Sequence, residues 1–118
     1  MLARHLAETV LVMIFYYSPG ACSLAAHIAL HQAGAKFESR KVNLYRGEQT
    51  TAEYLAVNAK GRVPALVTEQ GILTENSAIL AFISQLFPEA DLAPINDPFA
   101  FAQVQEFNCY LASTVHVA

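Results

Sequence analysis

The chain has 118 residues, room for one domain with a short appendage, and is 54% hydrophobic against 14% charged, which suits a packed globule and excludes a disordered chain. Its formal net charge is −3 and its seven lysines and arginines are thinly spread, so it carries no basic stripe of the kind nucleic acid requires. Two cysteines, Cys22 and Cys109, make neither a disulfide framework nor a Cys-x-x-Cys pair, which points to a reducing, cytoplasmic compartment.

Residues 1–12 read as an N-terminal extension. Arg4-His5 ahead of the apolar run Val10 to Phe15 imitates a secretory leader, and Ala21-Cys22 imitates a lipoprotein cleavage site. Glu8 interrupts that segment, however, and Pro19-Gly20 stand where a small apolar box belongs. No stretch is long enough to span a bilayer, so a soluble chain with no membrane partner is expected.

Val10 to Tyr17 is a continuous apolar and β-branched run closed by Ser18-Pro19-Gly20, which predicts a strand buried on both faces of a sheet. Ser23 to Ala33 reads as a helix ended by Gly34. Phe37 to Leu44 follows as a second strand with Phe37, Val42 and Leu44 as its apolar members, and strand, helix, strand in that order implies parallel pairing. Thr50 to Glu53 has capping-box spacing and opens a short helix through Val57. Arg62-Val63-Pro64 leads into a strand over Ala65 to Thr68, Glu69-Gln70-Gly71 turns the chain, and Ile72 to Thr74 completes a hairpin.

A helix from Ser77 to Phe87 carries Ile79, Phe82, Ile83, Leu86 and Phe87 at core-facing spacing, and Pro88 ends it. Pro88 to Pro98 predicts an extended linker. Asp97-Pro98 then has the cap and first-turn signature of a last helix, with Phe101, Val104, Phe107, Leu111 and Val115 as its apolar members. A lone amphipathic helix has nothing of its own to pack on, so the chain reads as interrupted. The low charge and the one-sided helices imply exposed apolar surface and hence a partner.

Three places carry candidate chemistry. Cys22 lies where a strand turns into a helix N-terminus, whose free N–H groups and positive dipole end favour a thiolate; a small buried hydrophobe is the competing account. Tyr17 and Ser23 supply hydroxyls at the same spot, or merely cap a strand and a helix. Val63-Pro64 puts at the head of a strand a residue that cannot donate to the ladder, either as a plain strand-start proline or as part of a ligand clamp. Glu75-Asn76-Ser77 opens the strongest helix, an anion site by its geometry or an ordinary cap. Lys60 and Arg62 read mainly as solvated charge. His27 and His31 have the spacing of a metal pair but no third ligand nearby, so a partly buried His27, an exposed His31 and no metal are expected. Cys109 reads as core.

Four segments, in order, resemble the bacterial beta-class glutathione transferases: Tyr16 to Leu24 (YYSPGACSL), Asn58 to Leu66 (NAKGRVPAL), Leu73 to Ile79 (LTENSAI) and Leu111 to His116 (LASTVH). The resemblance runs from Met13 to the end and covers about half of a family member. It implies an α/β, thioredoxin-like βαβ-α-ββα domain at 13–88 that binds glutathione, a linker at 89–98, and at 99–118 the first helix of a truncated all-α second domain. It further implies a cis Val63-Pro64 peptide and a glutathione site built from Tyr17, Cys22, Arg62, Val63, Pro64, Glu75 and Asn76. Cys22, Ser23 and His116 become the candidate catalytic side chains.

Glutathione is then the cosubstrate, a small electrophile the second substrate, and a homodimer the assembly. The reaction is conjugation, or thiol–disulfide exchange through Cys22. Relatives more often have Ser or Gly at Asn76, and a lysine where the shorter Tyr45-Arg46-Gly47-Glu48 loop offers only Arg46. A glutaredoxin-like oxidoreductase and a non-catalytic glutathione-binding or assembly module are the rival readings.

Overall fold

The structure is a computed structural model that describes residues 13–115. The extension expected at 1–12, with Val10 to Val12 of the first strand, and His116 lie outside the described residues.

Four strands make one mixed sheet in the order β2-β1-β3-β4: β1 (Met13–Tyr17), β2 (Phe37–Lys41), β3 (Ala65–Thr68) and β4 (Gly71–Thr74). β1 and β2 run parallel, Met13 opposite Phe37, with helix α1 (Leu24–Gln32) as the crossover. β3 is antiparallel to β1 and to β4. Helices α2 (Ala52–Val57) and α3 (Asn76–Leu86) complete the thioredoxin-like α/β unit, and α4 (Pro98–Tyr110) follows it, winding through one wider turn to Val115.

Strand alternation explains the two layers. Met13 and Phe15 share one face of β1 with Leu66, which pairs with Phe15, and this face is sealed by Ala26, Ala29 and Leu30 of α1 and by Ile79 and Ile83 of α3. Tyr16 points the other way and joins Val42, Tyr54 and Val63 beneath α2. Burial on both faces of β1, as the apolar run suggests, is therefore uneven. The six-residue α2 reaches only the end of the strand, and Ile14 and Tyr16 stay half-covered.

Several local expectations shift. The β2 ladder ends at Lys41, although the Val42 N–H still donates to Tyr17 O at 2.7 Å. Thr51, not Thr50, caps α2, accepting from the Tyr54 N–H at 3.2 Å; the Thr50 hydroxyl is taken by Gly47 O at 2.7 Å in a preceding 3₁₀ turn. Gly71 joins β4 opposite Thr68, because the Thr68 hydroxyl gathers the Gln70 and Gly71 N–H groups and closes the turn early. The linker is a chain of turns, beginning with a 3₁₀ turn at Pro88–Ala90, rather than an extended strap. Asp97 caps α4 as expected, accepting from the Ala100 N–H at 3.1 Å.

The largest departure concerns α4. Phe107, expected on its inner face, is 60% exposed, Cys109 is on the surface rather than in the core, and no residue of the helix is fully buried. α3 is its main neighbour, so one stripe of α4 is in contact and its exposed residues face outward. With Phe99, Tyr110 and, on α1, Leu24 and Ile28 also exposed, the described residues present the apolar surface that the composition implied.

His27 is half-buried between the rings of Phe15, Tyr17 and Phe37, and exposed His31 stacks on it at 5.2 Å. Burial first, and the charge of His31 second, lower the His27 pKa from the ordinary imidazole value. The fold thus prefers neutral His27, while the unfolded chain takes up its proton near about 6.5. Stability is complete above that pH and declines as pH falls through it toward the lower folded value. Urea titrations between about pH 7 and pH 5 are expected to show this decline, with a shallower slope in His27→Gln. In the core, Ile83→Ala should lose about 2–5 kcal/mol by the same measurement, whereas Ile72→Ala, on the exposed edge of β4, should lose less than about 1 kcal/mol.

Candidate functional site

Three chain segments converge at the ends of β1 and β3. The first is the turn out of β1. Ser18 is buried, its N–H donates to Ser23 Oγ at 3.2 Å, and the Ser23 hydroxyl donates back to Ser18 O at 3.2 Å. This two-way bridge closes the loop and leaves Ser23, 1% exposed, turned beneath it. Ser23 stands at the N-cap position but makes no side-chain cap bond, so it neither caps α1 nor faces the cleft. Cys22, one residue earlier and two ahead of the first helical residue, is half-exposed, and its thiol donates to Val63 O at 3.3 Å.

The second segment, 58–64, is shaped by Tyr54 of α2 and by its own first residue, Asn58. The Tyr54 hydroxyl donates to Arg62 O at 2.6 Å and the Asn58 amide donates to the same oxygen at 2.8 Å. Asn58 Oδ1 accepts the Lys60 N–H at 3.1 Å, so one buried amide serves both ends of the turn. Gly61 sits in that turn at φ +64, where a Cβ would stand 3.0 Å from Gln49 O; both the conformation and the space require glycine. Burial above all pushes the Tyr54 phenol up to about 12, with Tyr16 adding to the rise against the effect of its bond with Asn58, so it remains a donor at neutral pH. The Val63-Pro64 peptide is cis.

The third segment opens α3. Glu75 occupies the N-cap position at φ 76 and ψ 128, a left-handed conformation unusual for a residue with a side chain, and makes no side-chain cap bond. Asn76 does not cap either. Its amide donates to Cys22 O at 2.8 Å, tying the start of α3 to the start of α1, while its Oδ1 is buried with no protein partner. Across the mouth, the Glu75 carboxylate pairs with the Lys60 ammonium, both well exposed.

Together these segments line a cleft of about 270 Å³. Cys22, Arg62, Val63, Pro64, Glu75 and Asn76, singled out from the sequence, all reach it, as does Ser77. The cleft joins a thiol, a carboxylate, a helix N-terminus and irregular backbone, a set able to hold a small ligand bearing an ammonium group, carboxylates and peptide bonds.

Other candidates lie elsewhere. Tyr17 turns its ring onto His27 at 4.7 Å, within the core, and does not line the cleft. Arg46 is in the 43–50 loop, its N–H held by Asn43 Oδ1 at 3.2 Å. His116 is outside the described residues. Among the described residues no group of three His, Cys, Asp or Glu could hold a metal ion. Asn108, which no motif singled out, closes the cleft together with Leu111 and Ala112 of the fourth resembling segment. Their i, i+3, i+4 spacing marks a single helix face, but nothing local says that this face, rather than another, meets the site. Cys109 borders the same wall, its sulfur 4.0 Å from Ser77 Oγ.

Replacing Ser23 tests the buried bridge directly. Ser23→Ala strands the Ser18 N–H, and urea unfolding should register a loss of about 1–3 kcal/mol. A catalytic hydroxyl would behave differently, cutting turnover with stability unchanged.

Comparison with known proteins agrees with this geometry. Residues 11–85 match the family described as glutathione S-transferase, N-terminal domain. Glutathione S-transferase GstA of Escherichia coli O157:H7 is 38% identical over 107 residues, covering 88% of this chain and 53% of its own length. A glutathione transferase homologue from Sulfitobacter, solved with bound glutathione, superposes with a TM-score of 0.84 at 42% identity over 91% of this chain and 51% of that one. A sphingomonad glutathione S-transferase complexed with glutathione superposes with a TM-score of 0.76 at 42% identity, over 85% of this chain and 51% of that one. The chain thus spans about half the length of these relatives. On the match over 11–85 and the likeness of its fold, the chain belongs to the glutathione S-transferase family through its N-terminal domain.

Proposed function

We propose that this chain is the glutathione-binding part of a glutathione transferase, which joins the glutathione thiolate to an electrophile. The observation that carries this is the meeting, around one cleft, of the Cys22 thiol, the Val63-Pro64 peptide and the N-terminus of α3. Two relatives of this fold were solved with glutathione, which supports the same ligand here.

In this reading the Val63 backbone pairs with the peptide groups of the tripeptide. The start of α3, with Asn76 and Ser77, takes the γ-glutamyl carboxylate, Glu75 takes the ammonium group, and Arg62 faces the glycine carboxylate. Cys22 contacts the ligand sulfur. The buried Ser23 and the core-packed Tyr17 leave it as the nearest side chain for that task. In conjugation the ligand thiolate forms a carbon–sulfur bond and the leaving group departs with its electron pair. In exchange the Cys22 thiolate attacks one sulfur of oxidised glutathione, forming a mixed disulfide and releasing glutathione thiolate.

Residues 13–88 then form the glutathione-binding domain, 89–98 the linker and 99–118 the first helix of an all-α domain. The α4 wall of the cleft favours a transferase over a glutaredoxin-like oxidoreductase, because it lends Asn108, Leu111 and Ala112 to the substrate side. The exposed apolar residues of α1 and α4 support assembly, with a homodimer as the simplest form.

Intact mass after incubation with oxidised glutathione tests the role of Cys22. The parent should gain one glutathione adduct, and Cys22→Ala should lose it. An adduct that survives the substitution places the reactive thiol at Cys109 and overturns the assignment. Glutathione titrated into the parent by calorimetry tests the ligand itself: no binding at millimolar concentrations would refute the reading.

A further inference from the structure

The C-terminal end of α2 holds a polar arrangement that the ligand-contacting residues do not use. Tyr54 of α2 and Asn58, the extended residue that ends the helix, are both buried, and both donate to a single backbone oxygen, Arg62 O, at 2.6 and 2.8 Å. The next carbonyl along the chain, Val63 O, is the one that receives the Cys22 thiol. Neither donor is hydrogen-bonded to the Cys22 thiol, which donates to Val63 O. Tyr54 is packed with Val42 and Val63 under the sheet, and only Asn58 edges the cleft. Two buried donors on one acceptor restrain the peptide that joins Arg62 to Val63, and so the direction of the Val63 N–H within it.

We propose that Tyr54 and Asn58 are positioning residues, a two-donor clamp on the Arg62 carbonyl that aims the Val63 backbone at Cys22 and at the bound ligand. The clamp holds the thiol–carbonyl contact in the free protein and presents the Val63 peptide groups in a fixed direction when a ligand arrives. The part concerning ligand affinity rests on the glutathione reading above. The part concerning Cys22 does not.

Two substitutions separate the clamp from the fold. Tyr54→Phe removes only a hydroxyl. Asn58→Asp keeps the acceptor for the Lys60 N–H but replaces the donor to Arg62 O with an oxygen. Ile83→Ala, in the opposite core layer, serves as the variant of lowered stability that leaves the clamp alone. The first readout is alkylation of Cys22 by iodoacetamide, followed by mass spectrometry with exposed Cys109 as the internal reference. Loss of one hydrogen bond should raise the Cys22 rate about three- to ten-fold in both clamp variants and not in Ile83→Ala.

The second readout is glutathione affinity by calorimetry, expected to weaken about three- to ten-fold in each clamp variant, with the double variant falling short of the product because both donors serve one oxygen. A Cys22 rate within two-fold of the parent in both clamp variants overturns the proposal, as does an equal rise in Ile83→Ala, which would mark a loosened fold. A parent that binds no glutathione removes the glutathione reading and leaves the clamp to be judged by alkylation alone. Tyr54→Phe and Asn58→Asp that alter alkylation but not affinity would confine the clamp to Cys22 and overturn its role in ligand binding.

Discussion

The cleft exists because two helices share one face of one sheet. Phe15, Leu30, Leu66, Ile79 and Ile83 are wholly removed from water, and they can be so only if α1 and α3 lie side by side across β1 and β3. Each such side chain contributes about 1.5–3 kcal/mol on burial, so the packing leaves little freedom in where the two helices begin. Both begin at the same end of the strands, where Tyr16, Ala65 and Thr74 lie side by side. Cys22 at the entry to α1 and Glu75-Asn76 at the entry to α3 are neighbours for that reason, and the hydrogen bond from Asn76 to Cys22 O fastens them.

The third wall is held by polar contacts. Segment 58–64 is irregular backbone outside the ladder, and beyond the Asn58 N–H to Tyr54 O and Gly61 N–H to Asn58 O bonds its groups look to side chains. Tyr54 of α2 and Asn58 at its end supply them, and Gly61 allows the turn after Asn58 to approach Gln49 closely. Magnitudes separate these contacts from the ion pair at the mouth. An exposed Lys60–Glu75 pair contributes about 0–1 kcal/mol and is screened by salt, whereas orphaning a buried polar group costs about 1–3 kcal/mol. The buried bonds determine the shape of the site; the ion pair sets the charge at its entrance.

Hydroxyls and rings placed near the thiol by the chain order divide into two kinds once folded. Ser23 and Tyr17 serve the scaffold, one closing the Ser18 loop and the other packing against His27, while Cys22 alone of the three turns to the cleft. Neighbours in sequence at a strand-to-helix turn point in different directions, since the chain reverses there within a few residues. This is why three adjacent candidates reduce to one.

The order and type of the elements were legible in the residues themselves. Apolar runs, helix-face spacing and the punctuation at Pro19-Gly20, Gly34, Glu69-Gln70 and Asp97-Pro98 are local signals, and elements form where local signals agree. Cys22, Val63-Pro64 and Glu75-Asn76 stood out at turns and helix starts, where backbone groups are left free for a ligand, whereas Arg62 and the gathering of all of them into one site came only through the resemblance of four segments. Tertiary structure alone decided which hydroxyl faced inward, which oxygen received the donors of Tyr54 and Asn58, and which stripe of α4 closed the cleft. It also decided that Phe107 and Cys109 lie on the surface, since a helix records a face in its spacing but not the neighbour that face will meet. Those outcomes depend on contacts between residues far apart in the chain, whose energies are set only when sheet and helices are packed together.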